Sequence, residues 1–574
     1  MVYQMSPGVR WSEIDLSTIV PSVSTTEGAF VGDFEWGPIN QVFSIGNELE
    51  LARFFHKPSA NTFRSWFTAA NYLSYAEALK LVRVANTASA LNATNGSAGL
   101  LIKNDDDYEI NYLDLSASNT YGTIAAKYAG SLGNSIKVSM FTGSSNTAAY
   151  AAWEYDNEFD GVPGTSGWVS SRGGANDEIH VIVIDALGQI TGVANTVLEK
   201  FGFLSKASDT KTDDGGSNYY VNVINDRSEY IRILNHPTGN SSTWGSVSTN
   251  TSFSQDNSVY TSTLSGGTLG TTLARESDIT TGYDLFKDSD EWDISLIMTG
   301  AHSANVAEYV IDNIVGGTSS SPETGRRDCI VFISPDYEDV VDSAGTEATN
   351  IVAKRNLFNS TSYAVFDSNW KKQFDKYNNV YRWVPLNADI AGLCARTDFE
   401  RDPWFSPAGF NRGQVKNVTK LAWNPGKDDR DTLYKNGINP VVQFRGEGVI
   451  LYGDKTMLAK PSAFDRINVR RLFIVLEKAI SRAAKYSLFE FNDEFTRAQF
   501  VALVEPYLRD VKGRRGIYDF RVVCDETNNT PEVIDRNEFV GDIYIKPARS
   551  INFIQLNFIA VRTGIAFSEI TGKF

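Results

Sequence analysis

The sequence is poor in the residues that carry most enzyme chemistry. Its 574 residues include three cysteines, Cys329, Cys394 and Cys524, far apart and with no CxxC pairing. That excludes a disulfide framework and reads as reduced thiols of a cytosolic compartment. The four histidines, at 56, 180, 236 and 302, share no spacing, so a two-histidine zinc motif is absent. His180 opens a strand pattern and reads as structural. No G-x-S-x-G occurs, which leaves a nucleophile elbow unsupported. Asn424-Pro-Gly-Lys427 lacks the upstream glycine of a phosphate loop and carries Asp428 in the Ser/Thr place. Asp156, Glu158, Asp160 and Gly161 resemble half a calcium loop, but its twelfth position is Gly167, so the bidentate ligand is missing. The run Asp105-Asp106-Asp107 reads as a solvated surface turn. No cofactor or metal is expected.

Positive charge is also in deficit. Lys and Arg number 53 against 69 Asp and Glu, for a net charge of -16. That argues against free nucleic acid as a partner of the whole surface. No apolar run of about 18 residues is present, so no membrane span is expected. The N-terminal MVYQMSPGVRWSEID has no apolar core of a signal peptide. A protein made and assembled in a cytoplasm is the expectation.

What is present is ample apolar material, 42% hydrophobic and 12% aromatic. Over this length it suits roughly four domain-sized units. The clearest helical pattern runs from Phe464 to Phe491. Val469, Leu472, Phe473, Leu476, Ala479, Ile480 and Ala483 recur at three- and four-residue steps and form one apolar face. At about 100° per residue, Arg471, Lys478, Arg482 and Lys485 share a sector of roughly 60° on another face. No acid of the same helix interrupts this stripe. It reads as a solvated face of a core helix, or as charge offered to an acidic partner. A second helix is expected over 492–508.

The remainder divides by composition. Residues 1–26 form an extended arm with apolar Val9, Trp11, Ile14 and Leu16 and too little length to bury them alone. A core follows over 27–100 and resumes over 345–540. In it, Gly28-Ala-Phe-Val-Gly-Asp33 and Leu79–Val84 read as strands and 61–78 as a helix. Residues 101–344 are assigned to an inserted α/β domain with long Gly/Ser/Thr/Asn-rich loops. Its strands are expected at 136–141, 180–185, 217–224, 230–234, 292–298 and 329–333. A helix at 304–314 makes the last two a parallel pair. Residues 415–422 and 429–435 look helical, and 446–452, 517–524 and 539–545 look extended. Residues 541–574 form a C-terminal arm in which Ile554, Leu556 and Phe558 alternate with Gln555 and Asn557. Such a strand is too apolar to stay a free edge. The fold class is therefore multidomain α+β or α/β, with both ends needing sheets to join.

Several long strings resemble the tail sheath proteins of T4-like contractile-tailed bacteriophages. They are KYNNVYRWVPLNADIAGLCARTD at 376–398, SPAGFNRGQ at 406–414, LYGDKT at 451–456 and SAFDRINVRRLF at 462–473. RVVCDETNNTPEVIDRNEFV at 521–540 and KPARSINFIQLNF at 546–558 extend the match. SPGV at 6–9 and GAFVGDFEWGP at 28–38 resemble the family too, and YAGSLGNSIKV at 128–138 does so more loosely. The resemblance implies a non-enzymatic virion subunit, assembled in the bacterial host cytoplasm, whose copies stack as six-fold rings around a tail tube and contract. Implied partners are other copies of itself, the tail tube protein, and the baseplate and tail terminator proteins. The resemblance also implies that Val9, Trp11, Ile14, Leu16, Ile554, Leu556 and Phe558 join the sheets of neighbouring subunits. The basic stripe Arg471, Lys478, Arg482 and Lys485 is then expected to face the tube. The alternatives are a sheath of a related injection machine, a glycan-active enzyme built on the loop-rich middle domain, and a carbohydrate-binding module.

Overall fold

The structure is a computed structural model that describes residues 24–113, 120–143, 145–237, 243–255, 259–270, 274–316, 325–552 and 555. Short runs, too brief for helices and mostly apolar and buried on both faces except at the edge strand Val42–Ile45, build its central sheet. They are Gly28–Asp33 (β1), Val42–Ile45 (β2), Leu79–Val84 (β3), Leu296–Met298 (β4), Ile330–Ile333 (β5), Ala364–Asp367 (β6) and Ile438–Asn439 (β7). Their order is β7-β6-β5-β4-β1-β3-β2. All neighbours are parallel except β2, which closes one edge antiparallel to β3.

Side chains leave β1 alternately, and each face finds its own core. Phe30, Leu81, Leu296 and Met298 pack under helices Phe63–Leu73 (α1) and Asn387–Glu400 (α2). Ala29, Val31, Val82, Ile297 and Val331 pack on the other side against the helical segments at 276–284, 304–315 and 347–355. The helix Ile467–Ala484 (α3) sends Ile467 and Ile474 into the first core, so the C-terminal third is anchored on the central sheet.

This topology corrects the domain boundaries drawn from composition. Residues 296–298 and 330–333 are a parallel pair, as expected, but they lie in the central sheet beside β1 rather than in the insertion assigned to 101–344. Composition could not place them, because a short apolar strand reads the same in either sheet. The four-stranded sheet within the insertion is antiparallel, in the order 196–205, 178–185, 136–141, 260–263, and a second antiparallel pair joins 124–126 to 231–233. Fully buried Arg83 of β3 ties the two regions together: its guanidinium donates to the carbonyls of Phe34 and Gly37 and to that of Ala129, the last at 2.6 Å.

Three local expectations also fail for identifiable reasons. Residues 220–227 form a helix, because Tyr220, Val223 and Ile224 keep helical spacing while burying one face. Residues 415–421 are not helical: Val415 N–H bonds Val449 O at 2.9 Å, the chain bends at Asn417 with φ 54°, and Lys420–Leu421 pairs as a short strand with Lys371–Lys372. Asp105-Asp106-Asp107 is the first turn of a helix capped by Asn104, where acids suit the positive helix end. No helix among the described residues is long and apolar enough to cross a membrane.

Candidate assembly interface

The basic face of α3 is the first feature to place. Arg471 is buried, and its guanidinium makes a two-point pair with Asp398 of α2 at 2.7 and 2.5 Å. It also donates to the carbonyls of Cys394 and Thr25. Burial disfavours its charge, but Asp398 outweighs that and holds the guanidinium firmly protonated. The Lys478 side chain is nearly as enclosed, at 7% exposed. Its ammonium donates to Asp293 at 2.9 Å, Ile294 O at 2.7 Å and Ser295 Oγ at 3.0 Å, with Asp328 at 3.5 Å. Arg482 reaches the second oxygen of Asp293 at 2.9 Å, and Lys485 reaches Asp290 at 2.9 Å. Burial raises the Asp293 carboxyl, but its bonds to Lys478 and Arg482 win and hold it below the usual range.

The stripe is therefore a row of ion pairs that fastens α3 to α2 through Arg471 and to the segment leading into β4 through Lys478, Arg482 and Lys485. Arg471 and Lys478 are enclosed within the subunit, against the expectation that all four side chains face the tube. Only Arg482 and Lys485 keep substantial exposure, at 46% and 64% of their side chains. The opposing acids lie at 290, 293, 328 and 398, far away in sequence, where helical periodicity cannot see them.

Beyond α3, residues 485–493 turn the chain into helix Glu494–Gly513 (α4). Asp493 caps that helix by accepting from Thr496 N–H at 2.8 Å. Phe500, Val504, Leu508 and Val511 of α4 pack with Leu472 and Leu476 of α3 and with a two-stranded ribbon. The ribbon pairs Ile517–Val523 (β8) with Asp542–Pro547 (β9) antiparallel, Phe520 opposite Ile545 and Val522 opposite Ile543. Its inner face is apolar, while Tyr518 and Tyr544 are exposed on the other. Residues 542–547 thus belong to a folded unit, and the C-terminal arm starts later than the boundary drawn at 541.

Among the described residues, β8 and β9 pair only with each other, so each presents an outer edge of unpaired backbone groups. A two-stranded ribbon is marginal by itself, and open edges are templates for further strands. The arm residues Val9, Trp11, Ile14, Leu16, Ile554, Leu556 and Phe558 lie outside the described residues. Sequence reading missed a second feature, the exposed apolar tip between α3 and α4. Tyr486, Leu488, Phe489, Phe491 and Phe495 all stand out there, with Phe489 fully exposed. The signal was that helical spacing stops at Ala483 while apolar residues continue.

The rest of the molecule shows how its polar groups are used up. His180 donates from Nε2 to Gly161 O at 2.7 Å and accepts from Phe203 N–H at Nδ1, while its ring stacks on Phe159. The three thiols are buried, and burial pushes Cys329 and Cys394 up to about 12. Among the described residues no group of three His, Cys, Asp or Glu converges to hold a metal ion.

Comparison with known proteins places this architecture. The model of the phage tail sheath protein central domain matches residues 293–457, and that of the phage tail sheath C-terminal domain matches 459–560. The tail sheath protein of Vibrio phage KVP40 is 36% identical over 99% of this chain and 100% of its own length. The chain belongs to the phage tail sheath family. The tail sheath protein of Enterobacteria phage T4 is 35% identical over 99% of each chain. The crystal structure of a sheath tail protein from Listeria innocua shares the fold at 12% identity, with TM-score 0.51 over 92% of this chain and 96% of its own. A sheath tail protein from Desulfitobacterium hafniense superposes with TM-score 0.50 at 10% identity, over 95% of this chain and all of its own. The α+β multidomain fold and the role of structural subunit of a contractile tail sheath agree with what the quoted strings imply. The family model's start at 293 also agrees with the placement of β4 in the central sheet.

Proposed function

We propose that copies of this sheath subunit join by exchanging strands, stack as six-fold rings around a tail tube, and contract to drive the tube through a bacterial envelope. In this reading the 1–20 arm of one copy and the 553–561 segment of another add to the outer edges of β8 and β9. The observation that carries it is the two-stranded ribbon, which pairs with no other strand among the described residues, in a chain whose two ends carry apolar residues that cannot be buried within their own length. Each added main-chain bond contributes about 0.5–1.5 kcal/mol net, so several per strand plus buried aromatics make a joint that survives domain rotation. The sheath acts without catalysis, is assembled in the host cytoplasm and ends in the virion tail, with baseplate and tail terminator proteins at its two ends.

The tube contact falls to the end of α3 and the turn just after it, where exposed charge remains. Arg482 and Lys485 are proposed to face the tube in the extended state, each weakly, at about 1 kcal/mol or less. Weak contacts suit a surface that must let go on contraction.

Deleting residues 1–20, or ending the chain before 550, tests strand exchange. Negative-stain microscopy is expected to show dispersed subunits in place of long cylinders; cylinders of normal length from both trimmed chains would end the proposal. Arg482→Glu/Lys485→Glu is expected to reduce co-assembly on purified tubes while tube-free cylinders still form. Unchanged co-assembly would remove the tube-facing role.

A further inference from the structure

The loop after the strand at 448–451 carries Asp454, whose side chain is only 4% exposed and accepts five hydrogen bonds from four parts of the chain. Its Oδ1 accepts from Tyr434 OH at 3.3 Å, from an Arg466 terminal N–H at 3.2 Å and from Asn552 Nδ2 at 3.1 Å. Its Oδ2 accepts from Ser406 Oγ at 3.1 Å and from Ser550 Oγ at 2.6 Å. Asn552 Nδ2 also reaches the Tyr434 hydroxyl at 2.6 Å, and Arg466 donates to the same oxygen. The chemistry is consistent: Tyr434 spends its one proton on Asp454 and accepts with its lone pairs. Two of the five donors, Ser550 and Asn552, sit at the root of the C-terminal arm.

The residues before them are tied down as well. Ala548 N–H bonds Gly516 O at 3.1 Å, which extends the β8–β9 ladder, and Asn468 Nδ2 of α3 donates to Ala548 O at 3.4 Å. The root therefore leaves the ribbon at 548 and is fastened by 552 to the loop at 454. Only one residue separates Asn552 from Ile554, the first member of the alternating set Ile554, Leu556, Phe558. At roughly 3.3–3.6 Å per residue, the alternating strand starts within about 7 Å of a fixed point.

Resting on the strand-exchange reading, we infer that Asp454, with Tyr434 and Arg466, is a positioning site that sets the register of the donated C-terminal strand. Register matters because strand side chains have a period of two. A slip of one residue turns Ile554, Leu556 and Phe558 to the solvent face and brings Gln555 and Asn557 to the core. A free tether would sample both registers and would join its partner at lower effective concentration. Fastening the root removes that freedom before the partner arrives, and it places the point of bending beyond 552.

Three full-chain variants and one truncation test this by sedimentation, negative-stain microscopy and thermal melting. Ser550→Ala/Asn552→Ala removes the arm-side donors and leaves Asp454 bonded to Tyr434, Arg466 and Ser406. It is expected to melt like the parent but to need about tenfold more protein to assemble, as a less organised tether should. Ser550→Thr keeps the hydroxyl and is expected to assemble like the parent. One glycine inserted after Asn552 is expected to block assembly, because the fixed root cannot take up the shift. The chain ended after Asn552 is expected not to assemble. Should that truncated chain build normal cylinders, strand exchange by this arm is wrong and the positioning role falls with it. Should the truncation fail while Ser550→Ala/Asn552→Ala and the insertion both assemble at the parent's concentration, strand exchange stands and the positioning site is overturned.

Discussion

Replacing Arg471 by alanine separates the two meanings of the basic stripe. If its charge faced a partner, the change would weaken binding and leave the subunit's stability alone. In the structure the side chains of Arg471 and Asp398 are each only 4% exposed, so truncation leaves a buried carboxylate without its counter-ion. Breaking a buried pair from one side costs about 3–5 kcal/mol. For a cooperative unit of about 200 residues that lowers the melting temperature by on the order of 10 °C. The comparison is Lys485→Ala, whose pair with Asp290 is 64% and 81% exposed and is worth under about 1 kcal/mol. A second check comes from pH. Burial raises the Asp398 carboxyl and Arg471 opposes that rise, so without Arg471 the folded form holds its proton to higher pH. A raised carboxyl favours folding below the unfolded value near 3.9 and loses that contribution as pH climbs, so the defect is larger at pH 8 than at pH 5. Arg471→Met/Asp398→Leu removes both charges and is expected to recover most of the loss. Urea melts of dilute full-length protein read all of these. Arg471→Ala within about 1 kcal/mol of the parent at pH 8 would refute the reasoning.

Other outcomes follow from the same geometry. Asp367, fully buried at the end of β6 and bonded by Ser334 Oγ and Asn369 N–H, is pushed up to about 8 by burial. Its contribution to folding is complete below the unfolded value near 3.9 and fades up to pH 8, by at most about 1.4 kcal/mol per unit. Asp367→Asn is expected to flatten urea midpoints measured at pH 5, 6.5 and 8; an unchanged slope contradicts this. Lys371 and Asp389 form a pair with both side chains fully enclosed at 2.8 Å, so Lys371→Met is expected to cost about 3–5 kcal/mol by the same melts. Phe489→Ser/Phe491→Ser, on the exposed tip, is expected to change stability by under about 0.5 kcal/mol per site, since neither ring is buried in the subunit.

The sequence carried the central elements well where one local pattern decides. β1 is a short buried run of small and apolar residues ending at Asp33, β3 is mostly apolar with Lys80 and Arg83 in it, and α3 keeps its 3.6-residue spacing over 18 residues. Reading failed where long-range partners decide. The apolar triplet Leu296–Met298 carries no mark of its sheet, and only pairing with β1 on one side and β5 on the other assigns it. The stripe on α3 was legible as a stripe, but the acids at 290, 293, 328 and 398 that neutralise it belong to other elements. Residues 415–422 look helical, yet a hydrogen bond from Val415 to Val449 and the pairing of Lys420–Leu421 with Lys371–Lys372 hold them out of a helix. Asp454 lies in one of the strings that resemble the family, but its convergence with Ser406, Tyr434, Arg466, Ser550 and Asn552 exists only in three dimensions.

A cryo-electron reconstruction of cylinders grown from the full chain tests the account most directly, because it shows what lies along the two outer edges of the 517–523 and 542–547 ribbon. The account predicts a four-stranded sheet there, with residues from 1–20 of one other copy and from 553–561 of another on its flanks. Ribbon edges that stay bare, or that are covered by the same chain's own ends, would contradict it.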